Sequence, residues 1–240
     1  MNAIEAKALT RRFGDKTAVD ALELTVPEGE LFALLGVNGA GKTTTIKLLS
    51  GLLQPTAGSA SILGVPAGSQ EAKRLLAVSP QETAVAPNLT VRENLELMAG
   101  ISGADRKQAR QRADRTLDEA GLREVASKRA RTLSGGWQRR LSIAMALISE
   151  PKLLFLDEPT LGLDVLARRE LWRGIAALKG RITIVLTTHY MEEAEHLADR
   201  VGIMAGGRLR VCGSPAELIA RAGKSNFEDA FVALAGGETE

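Results

Sequence analysis

A glycine-rich segment at residues 36–44, GVNGAGKTT, has the residue types and spacing of a phosphate-binding loop. Glycines let the backbone curl so that successive N–H groups point at phosphate oxygens. Lys42 would bring a positive charge to the β- and γ-phosphates of a nucleotide, and Thr43 would offer a hydroxyl to Mg²⁺. The alternative is a glycine-rich turn that carries a surface lysine.

The segments on both sides of this loop favour the phosphate-binding interpretation. Residues 31–35 are continuously apolar, which is typical of a strand buried on both faces. A helix is predicted for residues 42–50, with Gly51 as its C-cap. The amino-terminus of that helix would add the positive end of its dipole to the anion site.

Two adjacent carboxylates follow a second buried strand. Residues 153–156 are apolar, and Asp157 and Glu158 come directly after them. Such a strand delivers both acids to the carboxyl edge of a sheet, where α/β proteins bind ligands. Asp157 can hold Mg²⁺, directly or through water, which leaves Glu158 free to polarise an attacking water. An acid that only caps a helix is the alternative, but together with the loop the pair predicts nucleotide hydrolysis.

Strand and helix patterns alternate through the last third of the chain. Further apolar strands are predicted at residues 182–186 and 201–204, and helices at residues 168–178 and 191–198. This alternation predicts a mostly parallel sheet. Gly206 and Gly207 are predicted to form a hairpin turn between two strands.

The rest of the chain has two other patterns. Near the amino-terminus, Ile4, Ala6 and Ala8 alternate as one face of a strand, and a second strand places Leu22, Leu24 and Val26 on one face. The middle third, from residue 87 to about residue 150, carries helical signals instead. One of its predicted helices has a basic face, which we interpret as a solvated surface; its residues are Arg106, Lys107, Arg110, Arg112 and Arg115.

The composition is that of an ordinary globular protein, with 45% hydrophobic and 25% charged residues. The formal net charge of +2 and the aromatic fraction of 3% give no support to nucleic acid as a partner. Cys212 is the single cysteine, so a reducing compartment is expected. No apolar run approaches the ~18 residues that cross a bilayer, and the amino-terminus lacks a signal-peptide core. We therefore expect another chain to supply any path through a membrane.

Further motifs make the chain similar to the ATP-binding subunits of ABC transporters over nearly its whole length. Residues 133–136, LSGG, resemble the signature motif of that family, which other phosphate-loop enzymes lack. Gln81 in VSPQE resembles the Q-loop glutamine, residues 162–164 resemble the D-loop, and residues 187–189, TTH, resemble the H-loop. Phe13 lies where the family keeps an aromatic residue that stacks on adenine.

This resemblance implies an α/β fold, the P-loop NTPase fold of ABC ATPases. A RecA-like, mostly parallel sheet is accompanied by an antiparallel β region and an inserted α-helical subdomain. One ABC ATPase domain is predicted over residues 1–240, with these parts: a catalytic core with its β subdomain at about 1–86 and 151–212, a helical subdomain with the signature at about 87–150, and a short helical tail at 213–240.

The resemblance also implies a role for each motif residue. Glu158, His189 and Lys42 are expected to be catalytic, with His189 touching the γ-phosphate and helping to align Glu158 and water. Thr43, Gln81 and Asp157 are expected at Mg²⁺, and Gln81 would also sense a membrane partner. The expected ATP-binding residues are Phe13, Gly36, Asn38, Gly39, Ala40, Gly41, Lys42, Thr43, Thr44, Gln81, Asp157 and His189.

Four residues are expected to act across a head-to-tail dimer in which two chains sandwich two nucleotides; they are Ser134, Gly135, Gly136 and Asp164. At the start of a helix, the Ser134 hydroxyl and the Gly136 amide could donate to the γ-phosphate held by the partner. Both Ser134 and Asp164 could instead be helix N-caps. The sequence departs from the family where Trp137 replaces the usual glutamine of the signature and where Phe13 replaces a more usual tyrosine.

Simpler interpretations of three other residues stay open. His189 could be a structural residue at a strand end, and Gln81 an ordinary loop glutamine. Phe13 could fill the core rather than face a nucleotide.

The implied function is that of an ATP-binding subunit that hydrolyses Mg-ATP and drives export through a separate membrane permease. Its expected cofactors are ATP and Mg²⁺. Its expected partners are a second ATP-binding subunit, identical or different, and the permease, with no nucleic acid. The expected location is cytoplasmic, peripheral on the cell membrane. Residues 187–195, TTHYMEEAE, resemble exporter subunits of the ABC-2 type. The alternatives are an importer ATPase, a soluble ABC ATPase acting on ribosomes or DNA, and an inactive nucleotide-binding regulator.

Overall fold

A four-stranded antiparallel sheet forms around the amino-terminal strands in the computed structural model, which describes residues 1–236. Its strands are β1 (Asn2–Phe13), β2 (Lys16–Pro27), β4 (Ala57–Ile62) and β5 (Val65–Pro66). They lie in the order β2-β1-β4-β5, and each neighbouring pair is antiparallel.

The second sheet has six strands and contains the buried apolar segments of the sequence. The strands are β3 (Leu31–Leu35), β6 (Leu76–Ser79), β7 (Leu153–Asp157), β8 (Thr183–Thr188), β9 (Arg200–Ala205) and β10 (Arg208–Gly213). Their order is β10-β9-β3-β8-β7-β6. All neighbours are parallel except β9 and β10, which form the predicted hairpin across Gly206 and Gly207.

Nine α-helices connect or follow these strands in the described residues. They are α1 (Lys42–Leu49), α2 (Gln70–Leu75), α3 (Val91–Ile101), α4 (Arg106–Glu119), α5 (Gly135–Leu147), α6 (Val165–Ala176), α7 (Met191–Leu197), α8 (Pro215–Ala222) and α9 (Phe227–Ala235). Capping boxes begin α3, α4 and α8, where an N-cap side chain and the residue three positions later satisfy each other's backbone N–H groups. No helix within residues 1–236 combines the length and the apolar composition needed to cross a lipid bilayer.

The six-stranded sheet is buried between two apolar layers. Alternate residues of β3 point to opposite layers, as the two-residue period of a strand requires. Leu31, Ala33 and Leu35 pack with residues of α5, α6, α7 and α9. Phe32 and Leu34 pack with α1 and the antiparallel sheet. This two-sided burial explains the uninterrupted apolar runs in the sequence.

Helices α3, α4 and α5 enclose a third apolar cluster of their own, within residues 91–148. Most of its side chains are fully buried, among them Val91, Leu95, Leu117 and Leu141. This cluster supports the predicted helical insertion at about residues 87–150. Of the predicted tail at 213–240, α8 and α9 are seen, and residues 237–240 lie outside the described part of the chain. The domain boundaries themselves stay predictions.

One prediction about the first strand is wrong. Ile4 and Ala6 are buried as expected, but Ala8 is exposed, and Leu9 is buried in its place. The cause is an irregularity in the pairing at Ala8, whose φ is +46°. Such a bulge inserts an extra residue and reverses the alternation of faces beyond it.

Candidate nucleotide site

The order of strands in the parallel sheet brings the predicted motifs to one edge. Strand β8 lies between β3 and β7, so that Leu35 pairs with Thr188, and Asp157 pairs with Thr187. All three strands run in the same direction and end at the same level. The phosphate loop after β3, Glu158 after β7 and His189 after β8 therefore leave the sheet side by side, where α/β proteins place their ligand sites.

The phosphate loop is closed around the side chain of Lys42. Its Nζ donates hydrogen bonds to the carbonyl oxygens of Gly36, at 2.7 Å, and Val37, at 3.2 Å. The lysine is only 6% exposed, which contradicts the alternative of a surface lysine. Glycine is required at two points of the loop. A Cβ at Gly36 would lie 2.3 Å from the Met204 carbonyl oxygen, and Gly41 has a φ of +105°.

Asp157 lies directly behind Thr43. One oxygen of its carboxylate, Oδ1, accepts hydrogen bonds from the Thr43 hydroxyl, at 3.1 Å, and from the Thr187 hydroxyl, at 2.5 Å. A carboxylate and a hydroxyl are oxygen ligands of the kind that Mg²⁺ prefers. Two of the three predicted magnesium residues are therefore adjacent, and their chemistry fits this ion.

Glu158 is buried between two cationic or proton-donating partners. Its Oε1 lies 3.2 Å from Lys42 Nζ, and its Oε2 lies 2.7 Å from Nδ1 of His189. Nδ1 of His189 and the Glu158 carboxyl group share this hydrogen bond. Glu158 is thus in direct contact with both of the other predicted catalytic residues.

The backbone of Glu158 has an unusual conformation for a residue with a side chain. Its φ is +47°, a left-handed value that typically costs about 1–3 kcal/mol outside glycine. The Glu158 N–H donates to both the carbonyl and the hydroxyl oxygen of Thr187, each at 3.1 Å. These bonds hold the turn that directs the carboxylate toward the phosphate loop.

An open cleft of about 540 Å³ lies above these groups. It is lined by Phe13, Lys16, Ala18, Asn38, Gly39, Ala40, Gly41, Lys42, Thr43, Thr44, Gln81, Glu158, Leu161 and His189. Most of the predicted ATP-binding residues therefore share one cleft. Gly36 and Asp157 are not part of its lining and lie behind the loop, in contact with Lys42 and Thr43.

Phe13 and Gln81 reach the cleft from two different parts of the fold. Phe13 ends β1 and is 47% exposed, so it does not fill the core. The guanidinium group of Arg11 lies 4.6 Å from its ring centroid. Gln81, just after β6, is also exposed to the cleft. Contact of either side chain with a nucleotide stays a prediction.

The residues assigned to the dimer are not part of the cleft lining within residues 1–236. Ser134 is the N-cap of α5, yet its side chain makes no capping hydrogen bond in the described chain. Asp164 does cap its helix, because its Oδ1 accepts from the Ala167 N–H at 2.9 Å. A Cβ at Gly136 would lie 3.0 Å from the Ala167 side chain, so the signature and the start of α6 are in contact.

Sequence reasoning missed several groups around the site. Lys16, Ala18 and Leu161 line the cleft but belong to no motif. The sequence identifies Thr187 only as part of the H-loop. In the structure its hydroxyl donates a hydrogen bond to Asp157 Oδ1 and accepts one from the Glu158 N–H. The position of a threonine beside two acidic residues follows from strand pairing, which no local pattern indicates.

Glu193 is a further residue near the site that sequence reasoning did not identify. It belongs to an acidic stretch, and such a stretch is typical of a solvated helix face. It is fully buried, and its Oε1 accepts the Trp172 indole N–H at 3.0 Å. Burial raises the pKa of Glu193, and the charge of Glu158 acts in the same direction. The hydrogen bond from the Trp172 indole acts in the opposite direction.

The sheet, the phosphate loop and the acidic strand end together define a phosphate-loop NTPase. The chain belongs to the ABC transporter family, because the sequence model of that family, described as "ABC transporter", matches residues 19–161. It carries an ABC ATPase domain.

One relative is named for multidrug transport and another for export. The chain is 41% identical over 240 residues to the probable multidrug ABC transporter ATP-binding protein YbhF of Escherichia coli, with 96% of this chain and 41% of that protein covered. It thus spans less than half the length of this relative. It is 43% identical over 219 residues to the Nod factor export ATP-binding protein I of Burkholderia lata, with 90% and 72% covered.

Solved structures confirm the predicted fold class. An ATP-binding subunit of an ABC transporter superposes with a TM-score of 0.85 at 30% identity, covering 97% of this chain and 99% of the other. An ATP-binding cassette, solved as a dimer in a post-hydrolysis state with ADP and Pi, gives a TM-score of 0.78 at 26% identity, covering 88% and 98%.

Proposed function

We propose that this chain binds and hydrolyses Mg-ATP and drives export through a separate membrane permease. One observation carries the proposal: Glu158 contacts both Lys42 and His189 beneath an open cleft lined by the phosphate loop. The names of the two relatives, which refer to multidrug transport and Nod factor export, favour export over import.

In this proposal, the loop N–H groups and Lys42 bind the phosphates, and Phe13 stacks on the adenine. Thr43, Asp157 and Gln81 would hold Mg²⁺, which supplies positive charge to the phosphate oxygens. Glu158 accepts a proton from the attacking water, and His189 holds the Glu158 carboxylate in place. Because Glu158 pairs with Lys42, phosphates that bind Lys42 would compete with the Glu158 carboxylate for it.

Catalysis would take place between two chains. Ser134, Gly135, Gly136 and Asp164 would contact the nucleotide bound by the partner. Within residues 1–236 the Ser134 hydroxyl makes no capping hydrogen bond, which leaves it available as a donor at the positive end of α5. The dimeric form of a similar cassette supports this assembly. Hydrolysis and phosphate release remove charge from the interface, and the dimer then opens.

The same proposal places the chain on the cytoplasmic face of the membrane, held there by its permease. Its test is to tag the chain in its native cell, extract membranes with mild detergent and identify the proteins that co-purify. An equimolar polytopic membrane protein is the expected result. Co-purification of ribosomes or DNA, or of no partner at all, would overturn the transport role and leave the ATPase role standing.

The ATPase role has its own test. Glu158→Gln is expected to abolish phosphate release while ATP binding persists, because the amide cannot accept the proton of the attacking water. The control is Glu192→Gln, which changes a glutamate whose side chain is 79% exposed. Turnover at the wild-type rate in Glu158→Gln would remove Glu158 from the catalytic assignment.

A further inference from the structure

Arg139 is a buried arginine that belongs to none of the motifs described above. It lies on α5, five residues after the signature serine, and is 5% exposed. Its Nη1 donates a hydrogen bond to the carbonyl oxygen of Pro80 at 2.7 Å, and its Nη2 donates to the carbonyl oxygen of Gln81. The two Nη groups of one planar guanidinium group, called the fork below, therefore bind the carbonyls of two successive residues of the Q-loop.

A third contact lies beside this fork. The hydroxyl of Ser142, also on α5, is hydrogen-bonded to the hydroxyl of Ser79 at 3.1 Å, in a buried position. Residues 79, 80 and 81 are thus each tied to the same helix. The chain that leads from β6 to Gln81 is attached to α5 at consecutive residues, not at a single point.

The charge of Arg139 makes this attachment hard to break. Both partners of the fork are neutral carbonyls, and Asp157 and Glu193 act on Arg139 only through space. Burial lowers the pKa of Arg139, but a guanidinium group stays charged in proteins. A buried charge that loses its hydrogen-bond partners carries a large desolvation penalty. The carbonyls of Pro80 and Gln81 are therefore expected to follow α5 when this helix moves.

The neighbouring arginine has a different environment. Arg140 is partly exposed, pairs with Glu170 at 2.6 Å and lies 4.6 Å from the ring centroid of Trp137. It does not contact the Q-loop within the described chain. The two adjacent arginines therefore form a matched pair for experiments, since only one of them holds residues 80–81.

We propose that Arg139 is a positioning residue that fixes Gln81 relative to α5, and so couples the signature motif to the magnesium end of the cleft. In the proposed dimer, the two ends of this connection would serve different nucleotides, because Ser134 would contact the nucleotide of the partner and Gln81 lines the cleft of its own chain. A movement of α5 caused by the nucleotide bound at Ser134 would then change the position of Gln81 relative to the nucleotide in its own cleft. This inference rests on the proposed function of Gln81 as a magnesium residue.

The test compares ADP affinity in the presence and absence of Mg²⁺, by calorimetry on the full chain, because ADP is not hydrolysed and lacks the γ-phosphate proposed to join two chains. Arg139→Met keeps an unbranched side chain on α5 and removes the guanidinium group. It is expected to reduce the gain in affinity that Mg²⁺ gives by about 5- to 20-fold, within the usual range of coupling between sites. Metal-free ADP affinity should change by less than about twofold. Arg140→Met should behave like the wild type in both measurements.

Two further variants separate the possible failures. Arg139→Lys keeps the charge but not the fork, so it should also lose part of the Mg²⁺ gain, and it serves if Arg139→Met does not fold. In a Gln81→Ala background, Arg139→Met should cause no additional loss. An equal additional loss there would overturn the inference, because Arg139 would not be acting through Gln81.

The remaining outcomes distinguish this inference from the proposed function. If Gln81→Ala loses the Mg²⁺ gain and neither Arg139 variant does, the positioning role is wrong and the role of Gln81 stands. If Gln81→Ala keeps the full Mg²⁺ gain, both the proposed role of Gln81 and the inference built on it are wrong.

Discussion

Replacing Glu158 by glutamine is expected to tighten the binding of ADP as well as to stop hydrolysis. The Glu158 carboxylate lies 3.2 Å from Lys42 Nζ, and both side chains are over nine-tenths buried. Lys42 is the cation that the phosphates need, so Glu158 competes with them for it. A neutral glutamine removes this competition and the repulsion between the carboxylate and the incoming phosphates.

The distance sets the scale of the effect. Two unit charges 3.2 Å apart attract by about 5 kcal/mol at an effective dielectric constant of about 20. This value is an upper limit, because desolvation offsets much of the attraction in a buried pair. Releasing one hydrogen bond to a charged group typically changes the free energy by about 1.5 kcal/mol. The dissociation constant for ADP should therefore fall about tenfold in Glu158→Gln.

ADP is the right probe because it lacks the γ-phosphate that the partner's signature is proposed to contact. The measurement, isothermal titration calorimetry, then reports on one chain and not on dimer formation. His189→Ala is the matched control, since it removes the other partner of Glu158 and leaves the carboxylate charge in place. This variant should not bind ADP more tightly. Unchanged or weaker ADP binding by Glu158→Gln would refute the competition between Glu158 and phosphate.

Three further predictions concern the loop, the buried acid behind the site and the adenine contact. Gly41→Ala should destabilise the fold by more than the ~1–3 kcal/mol of backbone strain alone, because its Cβ would lie 2.4 Å from the Ala18 carbonyl oxygen. Gly39 has a φ of +81° but open space where a Cβ would lie, so Gly39→Ala should lose only the stability that backbone strain costs. Equal losses of stability for the two variants in thermal unfolding would contradict this prediction. Because the pKa of Glu193 is raised, its neutral form stabilises the fold below the ordinary value of 4.5, and this contribution is lost as the pH rises through the folded value. Glu193→Gln, which cannot ionise, should therefore gain stability relative to the wild type as the pH rises from 4.5, by about 1.4 kcal/mol per pH unit until the folded pKa is reached; a difference independent of pH in denaturant unfolding would be the contrary result. Phe13→Ala should weaken ATP binding about 2- to 10-fold through lost stacking. Inorganic tripolyphosphate, which has no base, should bind as before when both ligands are compared by calorimetry.

Local patterns in the sequence were enough to predict the fold class and most of the candidate site. The phosphate loop combines glycines, a lysine and a threonine at fixed spacing, and its flanking strand and helix are readable from their apolar periods. The two carboxylates at the end of β7, Asp157 and Glu158, are predicted in the same way. The positions of these elements in the structure agree with the predictions because each one depends on neighbours within about ten residues, and the roles of the site residues stay predictions.

Short or irregular elements were harder to predict. Strands β4 and β6 and helix α2 carry few fully buried side chains, and the sequence shows no clear period there. The bulge at Ala8 changes which residues of β1 face inward, and it depends on pairing with two other strands. A single-strand pattern contains no information about its partners.

Only the tertiary structure decided which side chains meet at the site. Strand β8, which begins at residue 183, lies between β3 and β7 in the sheet. Because of this order, Glu158 lies between Lys42 and His189. Tertiary packing also decides two other contacts. These are the hydrogen bonds from the Arg139 guanidinium group to the carbonyls of residues 80–81 and the buried hydrogen bond between Trp172 and Glu193. Parallel strands are joined by long crossovers, so their order in the sheet is set by packing between distant segments. Charged residues such as Arg139 and Glu193 look like surface residues in the sequence, because burial depends on what the rest of the chain places around them.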